Sequence, residues 1–211
     1  MIKIENDEVL GWEHAIRGMR NPMNSWDKSD SVFGGKFSYG KREVSFSIGK
    51  NDLNLMMRLR NAGTDHRKFM RMLTVYVDIT APLYWWKEFD TYKVGTTANS
   101  CSTMHKIHAK EFTLDDFSHE HMTEVSLDVL FYIIENLNNC RELFLADKDK
   151  EWWWQMIQLL PTSYNQKRTV MLNYEVLANI YKSRKDHRLD EWHDLCHWIE
   201  TLPYSQLITG N

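Results

Sequence analysis

The chain has 211 residues, of which 43% are hydrophobic and 26% are charged, and its formal net charge is −3. This composition is ordinary for a globular protein with its own core, so it excludes disordered and fibrous classes and favours a single domain over residues 1–211. The slightly acidic balance argues against a nucleic acid polymer as partner, because neutralising a phosphate backbone requires a surplus of Lys and Arg.

The sequence contains no segment suited to a membrane. No apolar run approaches the roughly 20 residues that cross a bilayer, and the N-terminal residues MIKIENDEVLGWEH do not resemble a signal segment. We therefore expect a cytoplasmic protein without a membrane partner. Its cysteines, Cys101, Cys140 and Cys196, are widely spaced and form no CxxC pair, so neither a disulfide framework nor a cysteine zinc site is predicted.

The first predicted elements are a helix, a loop, a strand and a second helix. Apolar residues at helical spacing predict a helix from Asp7 to Met19, which Asn21-Pro22 ends. Residues 24–40 are rich in Ser, Asp, Gly and Lys and predict a loop. The alternation in EVSFSIGK then predicts a strand, and Asn51-Asp52 is the expected N-cap of the helix LNLMMRLRNAG.

The rest of the chain is dominated by helices. The run MLTVYVDITAP predicts a strand that leads into the helix LYWWKEFDTYK. A long amphipathic helix follows over about 122–144, and helices are also predicted at 149–159, 174–185 and 189–201. The predicted apolar face of the long helix at 122–144 consists of Met122, Val125, Val129, Tyr132, Ile133 and Leu137. The fold class is therefore α+β, with a small sheet flanked by helices.

Taken by themselves, several stretches have both a functional and a structural interpretation. The polar run at residues 91–106 suits a phosphate or nucleotide pocket, although a solvated loop has the same composition. His193 and His197 share a helical face, but without a third ligand signature they favour surface histidines, and no metal is predicted. Cys101 near His105 favours an inert thiol. The WWW run at 152–154 favours packing at a core or subunit interface, because consecutive helical residues point in different directions.

Residues 82–105, PLYWWKEFDTYKVGTTANSCSTMH, resemble the signature region of the flavin-dependent thymidylate synthases. In that family an apolar PLF-like helix start is followed by RQWW, by RHR and by S-x-N-E-x-S-x-R-Y. Pro82 and Leu83 fall in family-like places, and Thr91-Tyr92-Lys93 occupies the RHR position. With one inserted residue, Asn99 takes the Asn position and Ser102 that of the second Ser.

Three further stretches resemble the same family in the same order. Val44-Ser45-Phe46 is similar to its R-V-S-F strand, and His66 matches the first His of H-x-S-P-F-E-H. Residues 160–184 are similar to the segment that begins LP and continues N-x-R-x-L-x-N-F-x-x-L-R, with Lys167 at the Arg of a Y-T-R. The resemblance spans roughly residues 42–186 and implies a mainly antiparallel sheet.

The resemblance also implies which residues bind. The expected FAD contacts are Ser45, His66, Tyr92, Lys93, Asn99, Asn173 and Asn179. The expected contacts with dUMP are Glu88, Lys93, Ser102, Lys167 and Arg184. Of these, Lys93 and Lys167 lie near the phosphate position, Arg184 reads the uracil carbonyls, and Ser102 and Arg184 are the expected catalytic residues.

The implied activity is thymidylate synthesis in a homotetramer with sites shared between subunits. Reduced FAD supplies hydride, methylenetetrahydrofolate supplies a methylene group to C5 of dUMP, and NADPH reduces the flavin. Thr91, Tyr92 and Met104 replace an Arg, a His and an Arg of the family motif and so remove positive charge, and Ser100 replaces its Glu. A divergent nucleotide-binding relative, either non-catalytic or of altered specificity, is therefore the alternative.

Overall fold

The computed structural model describes residues 2–38 and 41–210, and the side chains of residues 35–45 lie outside this description. Its helices and strands follow in the order β1 Lys3–Leu10, α1 Trp12–Arg20, β2 Val32–Ser38, β3 Lys41–Ser47, α2 Lys50–Asn61, β4 Thr74–Pro82, α3 Leu83–Phe89, β5 Thr97–Ser100, α4 Glu124–Asp147, α5 Lys150–Leu159, β6 Asn165–Asn173, α6 Tyr174–Arg184, α7 Asp190–Thr201 and α8 Gln206–Thr209.

Four antiparallel strands form an open sheet in the order β1-β4-β6-β5, and β2 pairs with β3 in a separate hairpin. Strand β4 alternates from Val75 to Ile79, with Val75, Val77 and Ile79 buried and with Tyr76 and Asp78 on the other face. This alternation gives the sheet an inner apolar face and an outer polar face. The predicted α+β class with a small antiparallel sheet flanked by helices is confirmed.

Two clusters of buried apolar side chains fill the molecule. The larger cluster lies on the inner sheet face, where Trp85 and Trp86 of α3 pack beside Trp192 of α7. The Trp86 indole N–H donates to the Gln166 carbonyl at 2.9 Å, which ties α3 to β6. The smaller cluster lies between α4 and α5 around Leu137. Among the described residues, no helix is long and apolar enough to cross a membrane.

The predicted helix from Asp7 to Met19 is wrong in its first part. Lys3–Leu10 is an edge strand paired with β4, and the helix begins only at Trp12. Gly11 separates the two elements in a left-handed conformation with φ of 95°. Val9 and Leu10 precede the helical pattern of Trp12, Ile16 and Met19 at a distance that also fits a short strand followed by a turn. Their spacing therefore does not distinguish the two structures.

Residues 24–40 are not all loop, because Val32–Ser38 pairs with the predicted strand of residues 41–47. The N-cap of α2 is Gly49 rather than Asn51-Asp52, so Asp52 lies in the first turn of the helix. Its buried carboxylate accepts hydrogen bonds from the segment that precedes β2. The polar run at 91–106 also contains an unpredicted strand, β5.

The long helix α4 was predicted correctly in place, but its predicted apolar face is only half right: Met122, Ile133 and Leu137 pack in the smaller cluster, and the other three residues do not. Val125, Val129 and Tyr132 are 75%, 56% and 69% exposed, while Leu130 and Ile134 are buried. The buried face is the one that packs against α5 and the smaller cluster. An apolar stripe of α4 therefore remains on the surface.

Candidate functional site

Three of the predicted site residues meet where α3 and α6 end. Arg184, the last residue of α6, donates through Nη1 to Glu88 Oε2 at 2.7 Å and through Nε to the Tyr92 hydroxyl at 2.9 Å. Glu88 lies in the last turn of α3, and Tyr92 follows that helix closely. Because both helices pack on the inner sheet face, residues 96 positions apart in the chain come into contact.

Two residues that the sequence analysis did not predict complete this cluster. The Trp192 indole N–H donates to Glu88 Oε2 at 3.0 Å, and the Trp192 ring lies 4.6 Å from the Arg184 Cζ. His187 Nε2 lies 3.3 Å from the same Glu88 oxygen. We define the Arg184 cluster as Glu88, Tyr92, Arg184, His187 and Trp192. Charge-assisted and cation–π contacts of this kind hold a guanidinium in one orientation.

Lys167 lies on the opposite, outer face of the sheet. Its Nζ is 3.1 Å from Asp78 Oδ2 and 3.8 Å from Glu5 Oε2. The hydrogen bond to Asp78 raises the pKa of Lys167 above its usual value. The pKa of Asp78 is lowered to about 2 by hydrogen bonds from Thr169, from Asn6 and from Lys167. Lys167 is thus a fixed cation with acidic partners.

Asn99 and Ser102 lie at the edge of the sheet near Lys167. Asn99 pairs with Thr169 across the β5–β6 ladder and is exposed. The Cys101 N–H donates to the Lys167 carbonyl at 2.9 Å, which places Ser102 directly beyond the strand. Ser102 Oγ accepts from the backbone N–H of His105 at 2.9 Å and of Met104 at 3.2 Å. Its hydroxyl proton remains available to a ligand acceptor.

Two of the residues expected to contact FAD, Asn173 and Asn179, lie at the start of α6 and within it, and a third, His66, lies close to that helix. Asn173 is the N-cap of α6 and accepts through Oδ1 from the Glu175 and Val176 N–H groups, each at 3.1 Å. Asn179 accepts from Arg67 at 3.1 Å. Arg67 directly follows His66, so the Asn179 and His66 positions are neighbours.

A buried carboxylate of α6 anchors the turn after His66. Glu175 is bonded to Arg67 at 3.2 Å and also to Arg71. Burial would raise the pKa of Glu175, but the hydrogen bonds from Arg71 and Arg67 outweigh it and lower that pKa. The ionised carboxylate therefore fixes the turn against α6. Lys93 is exposed and has no side-chain partner among the described residues. Ser45 lies in β3, and its side chain is outside the described residues.

His66 borders an open groove of about 1750 Å³ between α1, α2 and the turn at 65–72. The groove is basic, since Lys28, Arg58 and Lys68 line it without a side-chain partner among the described residues. Asn54 and Asn61 add amide groups to its wall. Unpaired cations beside amides are the side chains that bind a phosphate-bearing ligand.

The remaining candidates are the histidines, Cys101 and the WWW run. No group of three His, Cys, Asp or Glu side chains that could hold a metal ion occurs among the described residues. His193 lies 3.7 Å from Asp190, while His197 is exposed. Cys101 is exposed as a free thiol. In the WWW run, Trp154 is 43% exposed and the other two indoles pack against the smaller cluster.

Comparison with known proteins identifies the fold. No family model matches the chain, and no curated protein sequence matches it. Solved structures do match, and they show that the fold is that of the flavin-dependent thymidylate synthases. The fold expected from the sequence resemblance is therefore confirmed.

Two solved structures illustrate the likeness. The flavin-dependent thymidylate synthase ThyX from Helicobacter pylori, complexed with FAD and dUMP, is 17% identical, with a TM-score of 0.70 over 99% of this chain and 98% of that chain. The UMP/dUMP methylase PolB from Streptomyces cacaoi, bound with 5-Br dUMP, is 13% identical, with a TM-score of 0.61 over 100% of this chain and 95% of that chain.

Proposed function

We propose that this protein is a FAD-dependent methyltransferase that converts dUMP to dTMP. The observation that carries the proposal is the contact between Arg184, Glu88 and Tyr92. These positions were assigned from two separate stretches of sequence, and they meet in one place. The fold that brings them together is also the fold of enzymes solved with dUMP and with a dUMP analogue.

On the nucleotide side, Arg184 would donate from Nη2 to a uracil carbonyl, because its Nε and Nη1 groups already have partners. Ser102 would donate its hydroxyl proton to the nucleotide. Arg184 and Lys167 lie on opposite faces of the sheet within one subunit, so the Lys167 that neutralises the phosphate would come from a neighbouring subunit, after exchanging Asp78 for it. Fixing the base and its phosphate orients C5 for methyl transfer and excludes water from the reacting atoms.

The residues near His66 fit an anionic dinucleotide. The unpaired Lys28, Arg58 and Lys68 of the groove suit a diphosphate, and His66 and the Asn179 amide nitrogen are donors without a side-chain partner among the described residues. Bound FAD would supply the hydride, with methylenetetrahydrofolate as methylene donor and NADPH as reductant. Tyr92, Lys93, Asn99, Asn173 and Ser45 remain proposed contacts of this cofactor.

The proposed assembly is a homotetramer with shared sites. The exposed apolar side chains Val125, Val129 and Tyr132 form one stripe along α4. Their spacing of four and three residues places them on a single helical face. A contiguous apolar stripe of this kind suits a subunit interface better than water. Such an assembly would allow Arg184 of one subunit and Lys167 of another to serve one nucleotide.

A second candidate function is nucleotide binding without catalysis. The observation that favours it is the pairing of both nucleotide-site cations with carboxylates, Arg184 with Glu88 and Lys167 with Asp78. Each pair reduces the positive charge that a nucleotide phosphate would meet. The two candidates differ in flavin binding and in turnover, so a single set of measurements separates them.

The test begins with the absorbance spectrum of the purified protein after incubation with FAD and removal of the unbound FAD by gel filtration. A band near 450 nm (about the position for oxidised flavin) is expected and would be absent if the groove does not hold FAD. Calorimetric titration then compares dUMP with uridine. We expect Arg184→Ala to weaken both ligands by about 1.5–3 kcal/mol, and Lys167→Ala to weaken only dUMP. Equal dUMP binding by parent and both variants would refute the nucleotide site.

A further inference from the structure

The guanidinium of Arg184 is held from several directions. Nε donates to the Tyr92 hydroxyl, Nη1 donates to Glu88, and the Trp192 ring lies against the Arg184 Cζ at 4.6 Å. Only Nη2 lacks a partner among the described residues. A planar guanidinium that is fixed on two nitrogens can present its third nitrogen in only one direction. The direction of that donor therefore depends on the position of Glu88.

Glu88 itself is fixed by two groups that come from α7 and the turn before it. The Trp192 N–H donates to Oε2 at 3.0 Å, and His187 Nε2 lies 3.3 Å from the same oxygen. The half-exposed carboxylate would otherwise rotate freely about its side-chain bonds. Three contacts on one oxygen, including that from Arg184, leave it a single orientation.

The backbone determines which nitrogen of His187 carries the proton. The Leu189 N–H donates to His187 Nδ1 at 3.2 Å, so Nδ1 acts as the acceptor. In the neutral ring the proton then lies on Nε2, which faces Glu88. The turn between α6 and α7 thus presents an N–H group to the carboxylate. A neutral ring with its proton on Nδ1 would lose both the hydrogen bond from Leu189 and the one to Glu88.

We propose that His187 is a positioning residue for Arg184, acting through Glu88. Its Nε2–H group holds the carboxylate, the carboxylate holds Nη1, and Nη2 is thereby directed at an acceptor oxygen of the ligand. This inference rests on the proposed function for the identity of that ligand, a pyrimidine carbonyl. The orientation of the guanidinium itself does not depend on the ligand.

The first arm of the test uses the ligand-free protein. Nuclear magnetic resonance of Arg184, assigned by loss of its signals in Arg184→Lys, measures rotation about the Nε–Cζ bond. The parent protein is expected to show separate Nη1 and Nη2 signals. His187→Ala should speed the rotation by about three- to tenfold, which corresponds to one lost hydrogen bond. His187→Gln keeps an N–H donor and should restore the parent rate. An unchanged rate in His187→Ala would overturn the proposal.

The second arm measures dUMP affinity in the same variants. We expect His187→Ala to weaken dUMP binding by about three- to tenfold, and His187→Gln to bind as the parent does. His197→Ala, an exposed histidine on α7, is the matched control and should change neither readout. If the parent does not bind dUMP, the proposed function fails, while the rotation rates still decide the positioning role. Equal weakening by the Ala and Gln variants would overturn that role.

Discussion

Asn173 combines a structural contact with a proposed contact to FAD. Its Oδ1 caps α6 by accepting from the Glu175 and Val176 N–H groups, and its Nδ2 lies 3.5 Å from the Gly95 carbonyl. Removal of an N-cap costs about 0.5–2 kcal/mol. Asn179 does not cap a helix, since it lies in the interior of α6, and Arg67 is its one side-chain hydrogen-bond partner among the described residues.

We therefore expect different results from substitutions that keep or remove the cap. Asn173→Ala should lower the free energy of unfolding by about 0.5–2 kcal/mol and weaken FAD. Asn173→Asp keeps the capping oxygen, so it should weaken FAD while it largely preserves stability. Chemical denaturation and flavin titration measure the two effects. Parent-like FAD affinity in Asn173→Asp would leave the proposed amide contact without support.

Asp52 is the carboxylate that orders the segment before β2. It is fully buried and lies 2.7 Å from Arg20, which is 4% exposed. Burial would raise the pKa of Asp52, but hydrogen bonds from Ser31, Ser29 and Arg20 outweigh it and lower that pKa. Asp30 caps α2 from the same segment by accepting from the Asp52 N–H at 3.0 Å. The network links α1, α2 and the hairpin.

Asp52→Asn should destabilise the protein by about 3–5 kcal/mol, because it leaves the buried Arg20 without its counter-charge. The folded-state pKa is depressed, so the contribution of ionised Asp52 is complete well above the unfolded pKa of about 3.9. It is lost as the pH falls through the folded-state pKa. Denaturation curves at a series of pH values measure this. The control is Asp128→Asn, which replaces an exposed carboxylate. If both substitutions lower the free energy of unfolding equally, the proposed role of the Asp52 network is wrong.

At the scale of elements, Gly11 decides where β1 ends and α1 begins. Its φ is 95°, and a Cβ atom at this position would lie 2.0 Å from the Met72 carbonyl oxygen. Gly63 has a similar φ of 104°, but a Cβ atom there would meet nothing within 4 Å. A comparison of alanine substitutions at Gly11 and Gly63 therefore separates the cost of backbone strain from the cost of a steric clash.

Gly63→Ala should cost about 1–2 kcal/mol, the strain of a left-handed conformation in a residue with a side chain. Gly11→Ala should cost about 1–3 kcal/mol more, because a backbone carbonyl has to move. Thermal unfolding of both variants measures the difference. If the two substitutions cost the same, the close approach of Met72 does not constrain the junction.

The sequence predicts the long helices well and the strands poorly, for identifiable reasons. Helices α4 to α7 have capping residues or sustained periodicity, so their positions are confirmed within a few residues. Strand β6 was missed because its inward residues Gln166 and Arg168 are polar. Arg168 is accommodated by Trp86 at 4.2 Å and by Asp90 at 2.8 Å, which no local pattern indicates.

The residues of the candidate site also divide into those that the sequence predicts and those that it does not. Glu88, Tyr92 and Arg184 could be selected from their resemblance to family motifs, and the structure places them in contact. His187 and Trp192 could not, because their roles arise from the turn that folds α7 back onto α3 and α6. Their contacts depend on tertiary packing, which the local sequence does not encode.

At the scale of the whole molecule, the α4 stripe is the proposed interface. Val129→Glu places a charge in the centre of that stripe and should dissociate the assembly, since burying an unpaired carboxylate is costly. Gln155→Glu, which adds the same charge at an exposed position of α5, is the matched control. Light scattering should find a tetramer for the parent and the control, and a smaller species for Val129→Glu. A parent that is monomeric at micromolar concentration would contradict shared sites.

The central claim is that this protein methylates dUMP at C5 and that the Arg184 cluster positions the base for the reaction. The most direct measurement is release of tritium from dUMP labelled at C5, in the presence of FAD, NADPH and methylenetetrahydrofolate. We predict release that requires all three compounds and that falls by about tenfold or more in Arg184→Lys, which cannot make the same paired contacts. Protein that is loaded with FAD and binds dUMP, yet releases no tritium above background, would contradict the claim and favour nucleotide binding without catalysis.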